Sequence, residues 1–215
     1  MAKKKEWREG EMVLTFQLTK IDTAYTALMQ EWMDVPAPTF TAMEQQIFDV
    51  TYLRGLKKIK TWSEEDLKMK FISHILELGL IMEDENFTTF FDKKLAAKVD
   101  SYDLSVKADF VVAKGFLDYM ERPFFHFQEY KPQKNPTGDP MAQLLEAFLI
   151  GQSLNQDKKP LYGCEVIGTI WTFCTMEGRS YCLSKQFDAT DRSDLLQIIS
   201  ILRKFKEILE LKLLR

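Results

Sequence analysis

The chain has only three cysteines, and no two of them form a CxxC pair. That scarcity excludes a disulfide-stapled scaffold and a zinc knuckle. Cys174 and Cys182 are placed to meet across a hairpin. In a reducing cytoplasm they read as small buried apolar side chains. No apolar run approaches the ~20 residues needed to span a bilayer. The basic start MAKKKEWREG is not followed by an apolar stretch, so it does not read as a secretory signal. A cytoplasmic protein is therefore expected. A strong excess of one charge is missing too. A net charge of −3 over 215 residues gives no global attraction to nucleic acid. A polyanion would need a local basic patch. The candidates are Lys3–Lys5 with Arg8, the Arg54/Lys57/Lys58/Lys60 cluster, and Lys131 with Lys134. Each of these, taken alone, reads as a solvated face. There is no internal repeat and no low-complexity segment.

What is present suits one globular domain. At 46% hydrophobic and 28% charged, the composition permits a real core and a soluble surface. The first third reads as helix. DTAYTALMQEWM has apolar positions at helical spacing, with Asp22 placed to cap it. VPAPTF breaks the chain, because proline lacks a donor and restricts its predecessor. Thr41 and Glu44 form a capping box for a second helix, and Gly55 is a natural stop. SEEDLKMKFISHILELG is a third helix, capped by Ser63, acidic in its first turn and ended by Gly79.

The periodicity then changes. TTFFDKKLAAKV, LSVKADFVVAKG and RPFFHFQEYKP read as strands. The second and third are apolar on both faces, which predicts central strands covered from both sides. Asp139-Pro140 is a strong helix start, cap followed by N1 proline. LYGCEVIGTIWTFCTM and SYCLSKQF supply two further strands, with a turn at Glu177–Gly178. A helix from about residue 191 to 211 closes the chain. The expectation is an α/β protein with a central mixed five-stranded sheet flanked by helices. Residues 1–60 form an N-terminal helical extension, available for a homodimer interface, and residues 61–215 the α/β domain.

One stretch stands apart chemically. FQEYKPQ ends an apolar strand with Glu129, Tyr130 and Lys131. Asp66-Leu-Lys68 and Asp92-Lys93-Lys94 have similar spacing but lie among charges, where solvent exposure accounts for them. Alternation puts Glu129 and Lys131 on the face of Phe125 and Phe127, with His126 and Tyr130 opposite. Asp109 lies amid Val106, Ala108, Phe110, Val111 and Val112 on the preceding strand. In a hairpin, Asp109 and Glu129 converge, and two close carboxylates need a proton or cation between them. A hard divalent ion such as Mg²⁺ takes one or two carboxylates and the Tyr130 carbonyl. Lys131 would orient a water or offset charge on a phosphate. Carboxylates, lysine and metal together fit hydrolysis of a phosphodiester.

Asp109 followed about twenty residues later by Glu129-x-Lys131 resembles the PD-(D/E)XK nuclease superfamily. The likeness is to the N-terminal nuclease region of type I restriction enzyme motor subunits and their small stand-alone relatives. It spans about residues 60–190. The helix preceding the strands carries the matching Glu64, Leu67, Lys68, Phe71, Ile72, Ile75, Leu76, Leu78 and Gly79. The resemblance implies a restriction-endonuclease-like core and a Mg²⁺- or Mn²⁺-dependent nuclease acting on nucleic acid, DNA before RNA. It implies Asp109, Glu129, Glu64 and the Tyr130 carbonyl as metal ligands, with Lys131 as the catalytic cation. Glu64 is seven residues from Phe71 and eleven from Ile75, so it projects inward, and Glu65 is turned roughly 100° away. Gln143 is expected near the site as a hydrogen bonder. The alternative expectation is a binding module that keeps this fold without turnover.

Overall fold

The computed structural model describes residues 6–82, 84–133 and 138–214. Lys3–Lys5 and the Lys134–Asn135 loop therefore lie outside the described residues. The elements run α1 (Glu9–Phe16), β1 (Thr19–Ile21), α2 (Ala27–Met33) and α3 (Ala42–Lys58). A single helical rod follows in three parts: α4 (Glu64–Leu67), a π-helical stretch (Lys68–Ile72) and α5 (Ser73–Leu78). Then come β2 (Thr88–Val99), β3 (Tyr102–Phe116), β4 (Tyr119–Lys131), α6 (Pro140–Asn155), β5 (Leu161–Ile167), β6 (Ile170–Glu177), β7 (Ser180–Asp188) and α7 (Arg192–Ile208). Among these residues no helix is long and apolar enough to cross a membrane.

The protein is α/β, but its mixed sheet has seven strands, in the order β1-β7-β6-β5-β4-β3-β2. Two strands escaped the five-strand expectation. LYGCEVIGTIWTFCTM is two antiparallel strands, β5 and β6, turned at Gly168. Gly168 takes a φ of +60°, which glycine adopts without the steric cost of a Cβ. A tight turn inside a continuous apolar run leaves little compositional trace. The other is β1, three residues long, which pairs parallel to β7. The first sixty residues thus supply a strand as well as helices. Trp32 of α2 is fully buried, and its indole N–H donates to the carbonyl of Ile201 on α7 at 2.8 Å.

Several local signals act as expected. Thr41 and Glu44 form a reciprocal capping box. Ser63 accepts from the Asp66 N–H, and Asp139 caps α6 ahead of Pro140. Other signals are overridden by packing. Asp22 does not cap α2; Thr26 does, accepting from Met29 N. Gly55 does not stop α3, which runs on to Lys58. It instead lies against Phe71, where an added Cβ would be 2.6 Å from Phe71 Cε2. Cys174 and Cys182 are buried free thiols, offset by one step, since Cys174 pairs with Leu183 and Thr175 with Cys182.

The sheet separates two cores. One face packs under α2, the α4–α5 rod and α7, through Trp32, Phe71, Ile75, Phe110, Leu202 and Phe205. The other packs under α1 and α6, through Phe16, Val111, Phe127, Leu144 and Phe148. β3 and β4 are antiparallel, whereas β4 and β5 are parallel, with α6 as the crossover. β5 is held so tightly that a Cβ on its Gly163 would be 2.4 Å from the Phe127 carbonyl of β4 and 2.9 Å from Phe148 Cζ of α6. Gly163→Ala should therefore lower the urea midpoint, by about 1–3 kcal/mol of stability, with an unchanged slope of unfolding free energy on denaturant.

Candidate active site

β3 and β4 pair from Phe116 and Tyr119 up to Phe110 and Gln128, and there the ladder ends. Beyond it the Tyr130 N–H is bonded by a side chain: Asp109 Oδ2 accepts from it at 2.8 Å. Asp109 thus supplies the acceptor that β3 backbone no longer provides. Its other oxygen, Oδ1, takes Lys68 Nζ at 2.7 Å. Lys68 comes from the π-helical stretch and also contacts Glu64 at 3.0 Å and Asp92 at 3.6 Å. Its ammonium lies 6.0 Å from the Tyr130 ring centroid. On β4, Lys131 Nζ donates to Glu129 Oε1 at 2.5 Å and to the Tyr130 carbonyl at 3.0 Å. The two peptide groups of Tyr130 are therefore bracketed by Asp109 on one side and by Lys131, with Glu129, on the other.

This cluster is buried. Asp109, Glu129 and Lys131 are each at most 7% exposed. Burial pushes the Glu129 carboxyl up to about 8; the Asp109 carboxylate pushes it the same way, and Lys131 only partly opposes them. On the neighbouring strand Glu165, paired in register with Glu129, is held up to about 7 by burial and then by Asp139 and Glu9. Lys68 is held above the ordinary lysine range, because Asp109 and Glu64 outweigh the cost of its burial. The site carries more carboxyls than ammonium groups, and proton uptake by Glu129 is how it accommodates the excess.

Each sequence-predicted residue can now be placed. Asp109, Glu129 and Lys131 are brought together at the end of β4. Tyr130 presents its backbone there, while its ring packs in the opposite core and its hydroxyl bonds Gln128. His126, fully buried and held down to about 3 by that burial, shares the Gln128 network on the same side. Glu64 joins through Lys68 and is half-buried, whereas Glu65 is exposed. The π-helical stretch interrupts the regular 3.6-residue spacing on which its inward direction was reckoned. Gln143 is on α6, and its buried Oε1 has no hydrogen-bond partner among the described residues.

Two sequence readings need correction. Phe125 does not share the face of Glu129. The β3–β4 register shifts between Val112 and Ala113, which pair with His126 and Phe124, leaving Phe125 as the extra residue of a bulge. Phe124 and Phe127 face α6, and Phe125 faces the other core. Second, Lys68 is not merely solvated, whereas Asp92 is exposed as expected. The Lys68 side chain is only 10% exposed. Asp92 stands level with Asp109, between the Phe91–Phe110 and Lys93–Ala108 pairs, with a φ of +56°. It also takes Lys107 at 2.9 Å. The signal for Lys68 was its position four residues after Glu64, the spacing at which helical side chains meet.

Among the described residues, no three His, Cys, Asp or Glu side chains stand together closely enough to hold a metal ion. The donor chemistry suits Mg²⁺ through fewer protein ligands. Asp109 and Glu129 are hard oxygen donors, the Tyr130 carbonyl lies beside them, and Mg²⁺ commonly keeps several waters. The raised Glu129 carboxyl is the observation that favours an added cation. No protein-family model matches the chain. No curated protein matches it either.

Two outcomes are expected. Lys68→Met leaves Asp109 with a buried charge and one partner fewer, which should cost about 3–5 kcal/mol in denaturant unfolding. Glu129 has a folded value above its ordinary one, so its neutral form is favoured by folding. Its contribution is intact below about 4.5 and is lost as pH rises through about 8. Thermal melts of Glu129→Gln should therefore shift in the variant's favour relative to wild type between pH 5 and pH 9. A difference independent of pH would contradict the assignment.

Proposed function

We propose that the protein is a Mg²⁺- or Mn²⁺-dependent nuclease of the PD-(D/E)XK type, hydrolysing phosphodiester bonds of DNA. The observation that carries the reading is the buried surplus of carboxyl charge around the Tyr130 peptide groups. The order of the residues along the chain, Glu64, Asp109, then Glu129-x-Lys131, agrees with that superfamily's pattern. A restriction-endonuclease-like core is part of the same proposal.

Asp109, Glu129 and the Tyr130 carbonyl would hold the ion, with Glu64 reaching it when Lys68 lets go. When bound, Mg²⁺ polarises a phosphoryl oxygen and acidifies a water. Lys68 and Lys131 now occupy the acceptors that an ion needs. Lys68 must release Asp109 Oδ1, and Lys131 must release the Tyr130 carbonyl. Lys131 is then freed to face the scissile phosphate, where its ammonium offsets growing negative charge. Gln143, whose buried Oε1 has no hydrogen-bond partner among the described residues, is suited to accept one from a bound group.

A second reading has its own support. The same two ammonium groups pair with Asp109 and Glu129 without any metal, and among the described residues no three His, Cys, Asp or Glu side chains are grouped to hold one. On that reading the chain is a catalytically silent binding module. The test combines thermal melts with cleavage of plasmid and oligonucleotides. Binding of Mg²⁺ at one hundred times its Kd should add about 2.7 kcal/mol of stability. Lys131→Ala should keep most of that gain and lose about 10²–10³-fold in cleavage rate. Asp109→Ala should lose both. Indifference to Mg²⁺ and Mn²⁺, together with intact DNA, would establish the silent module.

A further inference from the structure

A second place on the molecule is built from cations. The end of α3 carries Arg54, Lys57 and Lys58, three and four residues apart and so on one helix face. Lys70, from the π-helical stretch, and Trp62, from the connection before α4, line the same space, with Leu53 of α3. Together they line a pocket of about 580 Å³. That lies within the ~300–1,000 Å³ typical of small-ligand sites. The Arg54 guanidinium ties the walls, donating to the Lys70 carbonyl at 3.2 Å and lying 3.3 Å from His74 Nε2. A guanidinium only donates, so His74 accepts there as neutral imidazole.

Among the described residues, only Lys70 of these four cations has a carboxylate partner, the exposed Asp66. A helix C-terminus attracts cations by its dipole, which accounts for Lys57 and Lys58. It does not account for Lys70 and Arg54 converging on the same space from two helices. The chain as a whole is acidic, so the cluster is no reflection of composition. Arg54, Lys57 and Lys58, without a carboxylate partner among the described residues, stand around a concave wall, and phosphate oxygens match such groups. Leu53 and Trp62 add an apolar wall, which suits a sugar or base better than a bare ion.

We infer that this pocket is an anchoring subsite for the sugar–phosphate backbone of a nucleic-acid strand, separate from the carboxyl site. The requirement for phosphate rests on the pocket, and the choice of a nucleic-acid strand rests on the function proposed above. The two sites share one short stretch of helix, in which Lys68 holds Asp109 and Lys70 lines the pocket. A strand gripped here is thereby fixed to the element that borders the carboxyls.

The test uses the full chain and fluorescently labelled single-stranded and duplex DNA, with EDTA present so that no cleavage occurs. Lys57 and Lys58 are exposed, so the double variant Lys57→Ala/Lys58→Ala should keep the fold, checked by its thermal melt. Anisotropy titrations at several salt concentrations should show weaker binding by the variant. The slope of log K against log salt should fall in magnitude by about 1.4–1.8, the share of two phosphate contacts. Lys57→Arg/Lys58→Arg should keep the parent slope. No oligonucleotide binding by the parent, or an unchanged slope in the alanine variant, overturns the proposal. So does competition in which inorganic phosphate binds as tightly as the oligonucleotide. Binding that follows the expected slopes while no preparation ever cleaves DNA with Mg²⁺ would sink the nuclease reading alone. Normal cleavage with an unchanged slope would sink the pocket alone.

Discussion

One buried carboxylate holds the arrangement together. Asp109 uses one oxygen to bond the Tyr130 N–H and the other to bond Lys68. The first bond replaces a ladder hydrogen bond where β3 and β4 part. The second ties the α4–α5 rod to the sheet. A buried carboxylate without such partners would be too costly to keep ionised. With them, it lets the sheet open a notch at the end of β4 without leaving an orphan backbone donor.

The opening has an electrostatic consequence. Glu129 points into the same buried volume and cannot be fully compensated by Lys131, so its carboxyl holds its proton into the neutral range. Lys68 and Lys131 stand at the acceptors where a metal would be useful. The two proposed states of the site, closed by ammonium groups or loaded with a divalent ion, thus compete for the same oxygens. Balance between them depends on how readily two lysine stems swing away, which is less costly than dismantling a packed core.

Much of the local structure was legible, for identifiable reasons. The Thr41–Glu44 box, the Ser63 cap and the Asp139-Pro140 start depend on neighbours within a turn, and all three act as read. The strands β2 to β4 were visible in alternation and β-branched or aromatic content. Where the reading failed, a distant partner decided. Gly55 lies inside α3 rather than at its end, and Phe71 occupies the space that a Cβ there would need. Phe125 changes face because a bulge removes one step of alternation. Lys68 looked solvated in a charged helix, yet Asp109, forty-one residues away, draws it inward.

By itself, the sequence determined the α/β class, most element positions, and that an acid and a lysine would end a buried strand beside a second acid. These follow from short-range periodicity, capping and the cost of burying charge, which act within a few residues. Tertiary structure alone decided the count and order of the strands, the π-helical stretch that brings Lys68 to Asp109, and the parting of β3 from β4. Those depend on which surfaces meet across the core. Contacts between segments tens of residues apart outweigh local preference whenever close packing or a buried charge is at stake.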